Sequence, residues 1–440
     1  MAEAKAKPKS AHVMWGKRLI TKVTCPNCWH QFPPEEVLFV GKHTDLDSDP
    51  VLGDPMEPLR FAPTRFNVKG EALDPRGMPT SDVACPRCHL QIPESLLEVS
   101  PLFISIIGSP ASGKSYFLTT MSWQLRTFLP KAGLSFSDAD PVGSSPIHEY
   151  ERTLFMNLQP DEPTEIRKTA QDDDQLYKTA TVDGVPIRFP LPLQFLVWPT
   201  SDHPNFQQGH RLGRVIVLYD NAGEDFQPGR EDARSAAIQH LSRSAVLLML
   251  MDPTQEPRLR DLCRPSDPQV THGLRPDKGT PRAVLRQETI LREAAVRMRR
   301  YLGKSQTECL DKPLIIIVPK FDIMQGVTGV SIDEEPYQEV KKGGRFRLKT
   351  DEVERTSDAL RDILKEHCPE FVATADSVSE SVRYIPVSSL GCSPEVVTRG
   401  EHTFYGVRPS DVNPKWVTVP IVYCLTKWSR SILSGTDHHR

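Results

Sequence analysis

The sequence ISIIGSPASGKS occupies Ile104–Ser115, and the organisation of the rest of the chain follows from it. Its isoleucines are β-branched and apolar, which predicts a buried strand that ends at Gly108. The eight residues from Gly108 match G-x-x-x-x-G-K-S/T, the pattern of a loop whose backbone N–H groups surround a phosphate. Apolar residues at helical spacing then predict a helix from Tyr116 that Pro130 ends. A strand before this loop and a helix after it are the context in which the pattern binds a triphosphate.

This segment predicts a set of nucleotide-binding residues and a particular role for two of them. Glycine lets the backbone curl closely around a phosphate, and the start of the helix directs further N–H groups at it. Lys114 would neutralise the β- and γ-phosphates and is a predicted catalytic residue, while the Ser115 hydroxyl would ligate Mg²⁺. The nucleotide-binding residues expected here are Gly108, Ser109, Pro110, Ala111, Ser112, Gly113, Lys114, Ser115 and Tyr116.

Composition and charge are those of a soluble protein. The chain has 440 residues, 54 of them basic and 57 acidic, so no overall charge draws it to nucleic acid or to a membrane surface. The longest apolar runs, Ala245–Met251 and Leu314–Val318, are far too short to span a bilayer, and no secretory signal opens the sequence. We therefore expect a cytoplasmic protein without a membrane span. Its nine cysteines, an odd number, do not suggest a disulfide framework.

Two Cys-Pro-x-Cys turns, CPNC and CPRC, form an internal repeat near the N-terminus, each followed by an apolar residue and a proline at the same distance. Each turn aims two thiolates at one point, which predicts a tetrahedral site for one structural Zn²⁺ with no open position for catalysis. The spacer exceeds the usual length of about 15–20 residues and marks residues 41–84 as an insertion. His30 and His89 stand near enough to replace a ligand, although packing beside the turn is the simpler role. The expected ligands are Cys25, Cys28, Cys85 and Cys88.

The chain divides into a tail and two units. Residues 1–18 are rich in Ala and Lys without periodicity and predict a flexible tail. Residues 19–99 hold the cysteine turns and predict a small zinc-ribbon-like module, and residues 100–435 predict a larger domain with a separate hydrophobic core. In the larger domain, short apolar strands alternate with helical segments. This alternation predicts a P-loop NTPase fold, a three-layer α/β/α arrangement with a mainly parallel sheet and large insertions.

Polar residues follow three further apolar strands, and ligands of open parallel sheets bind at such carboxyl ends. Asp220 ends one strand, where an acidic residue could hold Mg²⁺, and the backbone N–H of Gly223 could meet the γ-phosphate. Lys320 and Asp322 follow another strand. The last strand is followed by Ser388, Ser389 and Leu390.

The order GSPASGKS, DNAGED, PKFD and VSSLG resembles the P-loop, switch II, base-specificity and final loop elements of Ras-like (TRAFAC-class) P-loop GTPases, over about residues 100–433. The resemblance implies that Asp322 accepts hydrogen bonds from guanine N1 and N2. It also implies that Lys320 lies along the base plane and that the Ser389 N–H addresses guanine O6. GTP and Mg²⁺ are thus the expected ligands, with GTP also the substrate.

Three residues depart from the family pattern. Pro319 stands where the family usually has Asn, so that one side-chain contact to the base or a neighbouring loop is missing. Glu224 occupies the place of the water-positioning Gln and is the second predicted catalytic residue, and Pro110 sits where a small residue is common. These changes favour GTP binding with slow, partner-stimulated hydrolysis. The switch I threonine stays open among Thr169, Thr179 and Thr181.

A cysteine-pair module that leads into an insertion-rich GTPase domain is similar to the bacterial double-GTPase families. That similarity implies a partner protein in a multi-protein system of conflict or defence. Two alternatives remain: a nucleic-acid-associated zinc-ribbon NTPase, and a non-hydrolysing adaptor that senses GTP. The basic, aromatic segment Lys341–Lys349 would suit nucleic acid, although a solvated hairpin is the favoured interpretation of it.

Overall fold

The computed structural model describes residues 13–14, 17–166, 177–221, 236–272, 286–324, 326, 329–340, 345–400, 402–429 and 432–433. Most of the predicted tail and part of the basic segment after residue 340 lie outside this range. So do three residues to which the sequence analysis gave a role, Thr169, Gly223 and Glu224.

The N-terminal module is built from short antiparallel strands. Four of them form a sheet in the order β10-β9-β5-β6. The pairs β3–β4 and β9–β10 each enclose one cysteine turn and share the same register, so the sequence repeat is also a structural repeat. The strands are β1 (Val13–Met14), β2 (Lys17–Arg18), β3 (Val23–Thr24), β4 (Gln31–Phe32), β5 (Leu38–Val40), β6 (Arg60–Phe61), β7 (Ala72–Leu73), β8 (Pro79–Thr80), β9 (Val83–Ala84) and β10 (Gln91–Ile92).

The remaining strands include those of the central sheet. They are β11 (Ser100–Gly108), β12 (Leu134–Asp138), β13 (Tyr177–Val182), β14 (Val185–Pro190), β15 (Leu193–Pro199), β16 (Arg214–Asp220), β17 (Val246–Leu250), β18 (Leu314–Val318), β19 (Tyr337–Glu339), β20 (Phe346–Leu348), β21 (Val382–Pro386), β22 (Glu395–Arg399) and β23 (His402–Gly406). The pairs β13–β14, β19–β20 and β22–β23 are separate hairpins.

The central sheet has seven strands in the order β12-β15-β16-β11-β17-β18-β21. Five neighbouring strands, from β16 to β21, are parallel, and β15 pairs antiparallel with both β12 and β16. β17 and β18 are buried along their whole length, because apolar runs suit a sheet covered on both faces. The predicted mainly parallel α/β sheet is confirmed, and the strand that leads into the phosphate loop lies at its centre.

Ten α-helices are described around this sheet. Helix α9 packs against both α7 and α8, and α8 also packs on β21. α1 begins two residues earlier than predicted and continues through Pro130 for one more residue, because a proline in the last turn removes only a terminal hydrogen bond. The helices are α1 (Lys114–Lys131), α2 (Ser145–Phe155), α3 (Gly209–Leu212), α4 (Ala236–Arg243), α5 (Pro257–Arg260), α6 (Pro268–His272), α7 (Gln287–Leu302), α8 (Thr350–His367), α9 (Pro369–Val378) and α10 (Val419–Trp428).

Strand β16 shows that the expectation of separate cores was wrong. Side chains alternate across a strand, and Ile216 and Leu218 join the large cluster that contains α1. Val215, Val217 and Tyr219, on the opposite face, join the apolar cluster of the N-terminal module. Along this part of the sheet the module and the β13–β14 hairpin form the covering layer. The two units therefore share this second core, because the module occupies a sheet face that a helix would otherwise cover.

Candidate nucleotide-binding site and metal centre

The loop between β11 and α1 has the geometry of an anion cradle. Ala111 and Gly113 adopt left-handed φ angles of 60° and 89°, which turn the backbone sharply before the helix. A Cβ at Gly108 would lie 3.0 Å from both Leu250 Cβ and Ser112 Oγ, so this position favours glycine. No side chain within the described chain caps the N-terminus of α1. Its first N–H groups therefore remain suited to an anion.

Lys114 and Asp220 meet at the carboxyl ends of the two central strands. β16 pairs with β11 so that Asp220 lies opposite Ile106, two residues before the loop begins. Lys114 Nζ lies 3.7 Å from Asp220 Oδ1. Loss of solvent raises the pKa of Asp220 while Lys114 opposes the rise, and the carboxyl stays partly exposed. Ser115 and Asp220 offer the hydroxyl and carboxylate oxygens that Mg²⁺ accepts beside nucleotide phosphates, so these residues fit the ion.

The loops after β18 and β21 come together at one end of the sheet. Ser388 Oγ donates a hydrogen bond to Asp322 Oδ1 at 2.5 Å and accepts one from the Gly391 N–H at 2.9 Å. Burial raises the pKa of Asp322, and the Ser388 hydrogen bond partly offsets this. A cleft of about 360 Å³ opens beside the carboxylate, lined by Arg264, Asp322, Gly326, Gly391, Cys392, Ser393 and Lys415. The sequence predicted both loops but none of the other lining residues.

The ammonium of Lys320 points to a residue that the sequence analysis did not assign. Lys320 Nζ donates to Asp252 Oδ2 at 2.6 Å and to Thr254 Oγ1 at 3.4 Å, from a backbone with a left-handed φ of 56°. Asp252 lies near the carboxyl end of its strand, two residues after β17 ends at Leu250, and Asp220 is the last residue of β16. That shared position was the available signal. No role was predicted for Asp252 from the sequence.

The four predicted zinc ligands form one buried cluster. Their Sγ atoms all lie within 4.8 Å of one another, and Cys25 and Cys28 contact Cys88 and Cys85 at 3.8 and 3.6 Å. In the first turn the Asn27 N–H donates to Cys25 Sγ, and in the second the Arg87 N–H donates to Cys85 Sγ. The residue that follows each turn, Trp29 or His89, has a left-handed φ. Four thiolates at this spacing fit a tetrahedral Zn²⁺.

Burial without a cation is unfavourable for these thiolates. Burial raises the pKa of Cys25, because its ionised form loses the surrounding water. Hydrogen bonds from the other cysteines lower the pKa of Cys28. A bound cation would hold all four ionised. The two candidate histidine ligands lie outside the cluster. His89 Nδ1 contacts both oxygens of Asp49 at 2.9 Å, and the His30 ring stacks on Phe32.

An aromatic cluster connects the first cysteine turn to the strand that carries Asp220. Trp29 packs on Phe103 with ring centroids 4.3 Å apart, and its Nε1 donates to His240 Nδ1 at 2.9 Å. The Tyr219 hydroxyl donates to the Pro26 carbonyl at 2.5 Å, and its ring stacks on His240. Burial lowers the pKa of His240 to about 3, so the imidazole is neutral and can accept the indole hydrogen bond.

The remaining predicted residues fall in different places. Thr179 and Thr181 lie on β13, and the Thr181 N–H donates to the carbonyl of Val51 in the N-terminal module. The third switch I candidate, Thr169, is outside the described residues. Ser389 and Leu390 follow Ser388 in the loop after β21, and Leu390 packs beside the apolar cluster around Leu154. None of the described helices is both long and apolar enough to cross a membrane.

Comparison with known proteins gives one significant relative and several distant structural neighbours. No family model matches the chain. The chain is 24% identical over 355 residues to the "Putative ESX-1 scaffolding and assembly protein SaeC" of Mycolicibacterium smegmatis, covering 76% of this chain and 78% of that protein.

The structural neighbours are GTP-binding proteins. Sup35 complexed with GDP has 12% identity and a TM-score of 0.23, with 66% of this chain and 38% of that chain covered. SelB of Methanococcus maripaludis with a GTP analogue has 9% identity and a TM-score of 0.19, with 66% of this chain and 30% of that chain covered. The signal recognition particle receptor SRb–GTP/SRX complex of Chaetomium thermophilum has 14% identity and a TM-score of 0.26, with 67% of this chain and 94% of that chain covered. The chain thus spans well under half of the first two, and TM-scores this low do not establish a common fold over the whole chain.

Proposed function

We propose that this protein is a GTP-binding molecular switch with slow intrinsic hydrolysis that acts together with a partner protein. One observation carries the proposal: polar residues of the four sequence motifs lie at the carboxyl ends of neighbouring parallel strands. Within that edge, Lys114 is near Asp220 and Ser388 contacts Asp322. The two ends of a nucleoside triphosphate, phosphate and base, would each meet side chains of the matching chemistry.

Each part of the site has a distinct task in this proposal. Lys114 and the N–H groups of the phosphate loop bind the phosphates, and Mg²⁺ held by Ser115 and Asp220 would neutralise charge that develops on the γ-phosphate. The Asp322 carboxylate accepts from guanine N1 and N2, while the Ser389 N–H donates to guanine O6. The Gly223 N–H would sense the γ-phosphate. Release of the γ-phosphate after hydrolysis would reorganise the segment that follows Asp220.

Slow hydrolysis follows from the residue beside Gly223. An ionised Glu224 can accept a proton from the attacking water but cannot donate toward the γ-phosphate, and its charge repels that group. A partner could supply the missing donor. The M. smegmatis relative, named as a scaffolding and assembly protein, favours a partner within an assembly system over nucleic acid, and so does the formal net charge of −3. A defence role has no further support than the double-GTPase resemblance.

Competition binding tests the proposal. Purified protein is titrated with a fluorescent GTP analogue and competed with GTP, ATP and inorganic triphosphate, with Lys114→Ala as the variant. Loss of an ammonium–phosphate contact should weaken GTP binding by about 10–100-fold. Lys131→Ala, at the other end of α1 and exposed, is the matched control and should bind like the wild type. Preference for ATP, or undiminished binding by Lys114→Ala, would contradict the proposal. Salt-sensitive RNA binding would favour the nucleic-acid alternative.

A further inference from the structure

A buried hydrogen-bond network joins the phosphate loop to the base loop through Asp252. Asp252 has no exposed surface, and its two carboxylate oxygens divide their partners. Oδ1 accepts from the N–H and the hydroxyl of Thr254 at 2.9 and 2.7 Å. Oδ2 accepts from Lys320 Nζ at 2.6 Å and from Gln255 Nε2 at 3.2 Å. A carboxylate buried this completely persists only when a cation and several donors satisfy it.

Two glutamines connect the phosphate loop to Asp252, Gln255 through the carboxylate and Gln287 through the backbone, and Ser109 Oγ also lies 3.5 Å from Gln287 Oε1. Gln255 Nε2 also donates to the Pro110 carbonyl at 3.0 Å, and its Oε1 accepts from Ser109 Oγ at 2.7 Å. Gln287 Oε1 accepts from the Asp252 N–H at 2.7 Å and its Nε2 donates to the Asp252 carbonyl at 2.9 Å. Gln287, 2% exposed, therefore fixes the backbone from which the Asp252 side chain projects.

Lys320 opens the base loop in an unfavourable backbone conformation, and its side chain forms the ion pair with Asp252. Lys320 begins that loop with a left-handed φ of 56°, a strained region for a residue with a Cβ that persists where surrounding contacts determine it. Pro319, just before it, has neither an N–H nor a polar side chain with which to hold the loop. The ion pair with Asp252, together with the weaker contact to Thr254, therefore anchors the Lys320 side chain two residues before Asp322.

We infer that Asp252 is a positioning residue that, through Lys320 and Gln255, holds the base loop in register with the phosphate loop. It supplies the connection that the proline at 319 cannot make. The inference rests on the proposed function, because it assigns base selectivity to the Asp322 loop. Asp252 touches no nucleotide in this account; it acts by fixing the residues that do.

The experiment measures base discrimination, the ratio of the Kd values for ATP and GTP, in two variants of the full chain. Asp252→Asn keeps the shape and the Thr254 contacts but leaves the Lys320 ammonium without its counter-ion, and should lower the ratio about tenfold. Gln255→Ala, on a partly exposed residue whose contacts are with Ser109, Pro110 and Asp252, should lower it by a smaller factor. Asp138→Asn breaks a comparable contact with Arg126 at the sheet edge and should leave the ratio unchanged.

The possible outcomes separate this inference from the proposed function. Base discrimination is insensitive to simple loss of stability, since the same folded fraction binds both nucleotides. Equal loss of GTP and ATP affinity in Asp252→Asn, or an unchanged ratio in both variants, would overturn the inference while GTP binding by the wild type stands. If Asp252→Asn does not fold, Gln255→Ala decides alone. A wild-type chain that binds neither nucleotide would overturn the proposed function as well.

Discussion

Three aspartates at or shortly after the carboxyl ends of parallel strands have different surroundings and therefore different capacities to bind a ligand. Asp220 keeps part of its surface exposed beside Lys114, which suits a cation-binding oxygen. Asp252 is saturated with donors from its own chain, so it has no free oxygen for a ligand. Asp322 accepts from Ser388 through Oδ1 and lines an open cleft. Of the three, Asp322 has the acceptor capacity that reading a base requires.

Replacing Asp322 by Asn should change which base the site accepts. An amide presents one donor and one acceptor where guanine N1–H and its N2 amine require two acceptors, and xanthine has a carbonyl in place of that amine. We expect Asp322→Asn to lose GTP affinity and gain XTP affinity, with a change in preference of about 10²-fold. Competition binding with GTP and XTP measures it.

The wild type and the Asp322→Asn variant should be compared at neutral pH or above. Burial raises the pKa of Asp322, so acidification would protonate the wild-type carboxylate earlier than an exposed one and mimic the variant. Asp333→Asn removes another carboxylate near the cleft, one that pairs with Lys415, and should retain GTP preference. An Asp322→Asn variant that shows no shift toward XTP would mean that this loop does not read the base.

The first cysteine turn and strand β16 behave as one structural element. The turn supplies the Pro26 carbonyl to the Tyr219 hydroxyl and the Trp29 indole to His240. Tyr219 immediately precedes Asp220, and His240 lies on α4, the first helix described after the strand. These buried contacts therefore form a route by which order in the turn, which a metal would impose, would reach Asp220 of the proposed nucleotide site.

Loss of the metal should therefore affect both units. We expect one zinc per chain by elemental analysis, and Cys25→Ser should abolish it and lower the free energy of unfolding by more than about 4 kcal/mol. Because of the shared core, GTP affinity should also fall, by about threefold to tenfold, through the Tyr219 contact. Urea unfolding and GTP titration measure the two effects.

Cys309→Ser is the matched control for that experiment. Cys309 is a partly exposed thiol outside the cluster, whose Sγ contacts the Ser377 carbonyl at 3.5 Å. It should retain zinc, stability and GTP affinity. Full zinc content in Cys25→Ser would exclude that cysteine as a ligand. Zinc loss without any change in GTP affinity would show that the contact between the turn and Tyr219 carries no influence.

Elements with an uninterrupted pattern could be predicted from the sequence, and the others could not. The apolar run Leu314–Val318 predicts a buried strand and the pattern of Thr350–His367 predicts a helix, and both elements have these bounds in the structure. The hairpins β13–β14 and β22–β23 are short and largely exposed, so they leave little apolar pattern to detect. Helix α9 follows α8 after a single residue, Cys368, and was not predicted from the sequence.

The candidate site likewise has one part that the sequence predicts and another that it does not. The phosphate loop, Asp220 and the base loop are visible because polar residues interrupt apolar strands abruptly. The Asp252–Lys320 pair depends on β17 and β18 being neighbours in the sheet and on the direction of a side chain, neither of which a local pattern contains. The shared core was missed for a related reason. Alternation along β16 shows two buried faces but not what covers each of them.

At the scale of the whole molecule, the shared core implies a single folding unit. Trp29 of the module packs in one cluster with Val217 and Tyr219 of β16, and all three side chains are almost fully buried. A module with a core of its own could unfold while the sheet stayed folded. A module that forms the cover of β16 cannot, because its loss would expose the apolar side chains on that face. Cooperative unfolding is therefore expected along the chain from the cysteine turns to the final helix.

A nucleotide titration of thermal unfolding tests this. Ligand bound only to the native state adds about 2.7 kcal/mol at a hundred times its Kd, which for a chain of 440 residues corresponds to a rise in Tm of about 3 °C. We expect one transition, followed both by tryptophan fluorescence and by zinc release, and both signals should shift together with GTP. At the same GTP concentration Lys114→Ala, which should bind about 10–100-fold more weakly, should show both shifts reduced to about half or less. If zinc release moves independently of the GTP-dependent transition, the module unfolds separately, and the apolar contacts between Trp29, Phe103 and Tyr219 are too weak to couple the metal centre to the nucleotide site.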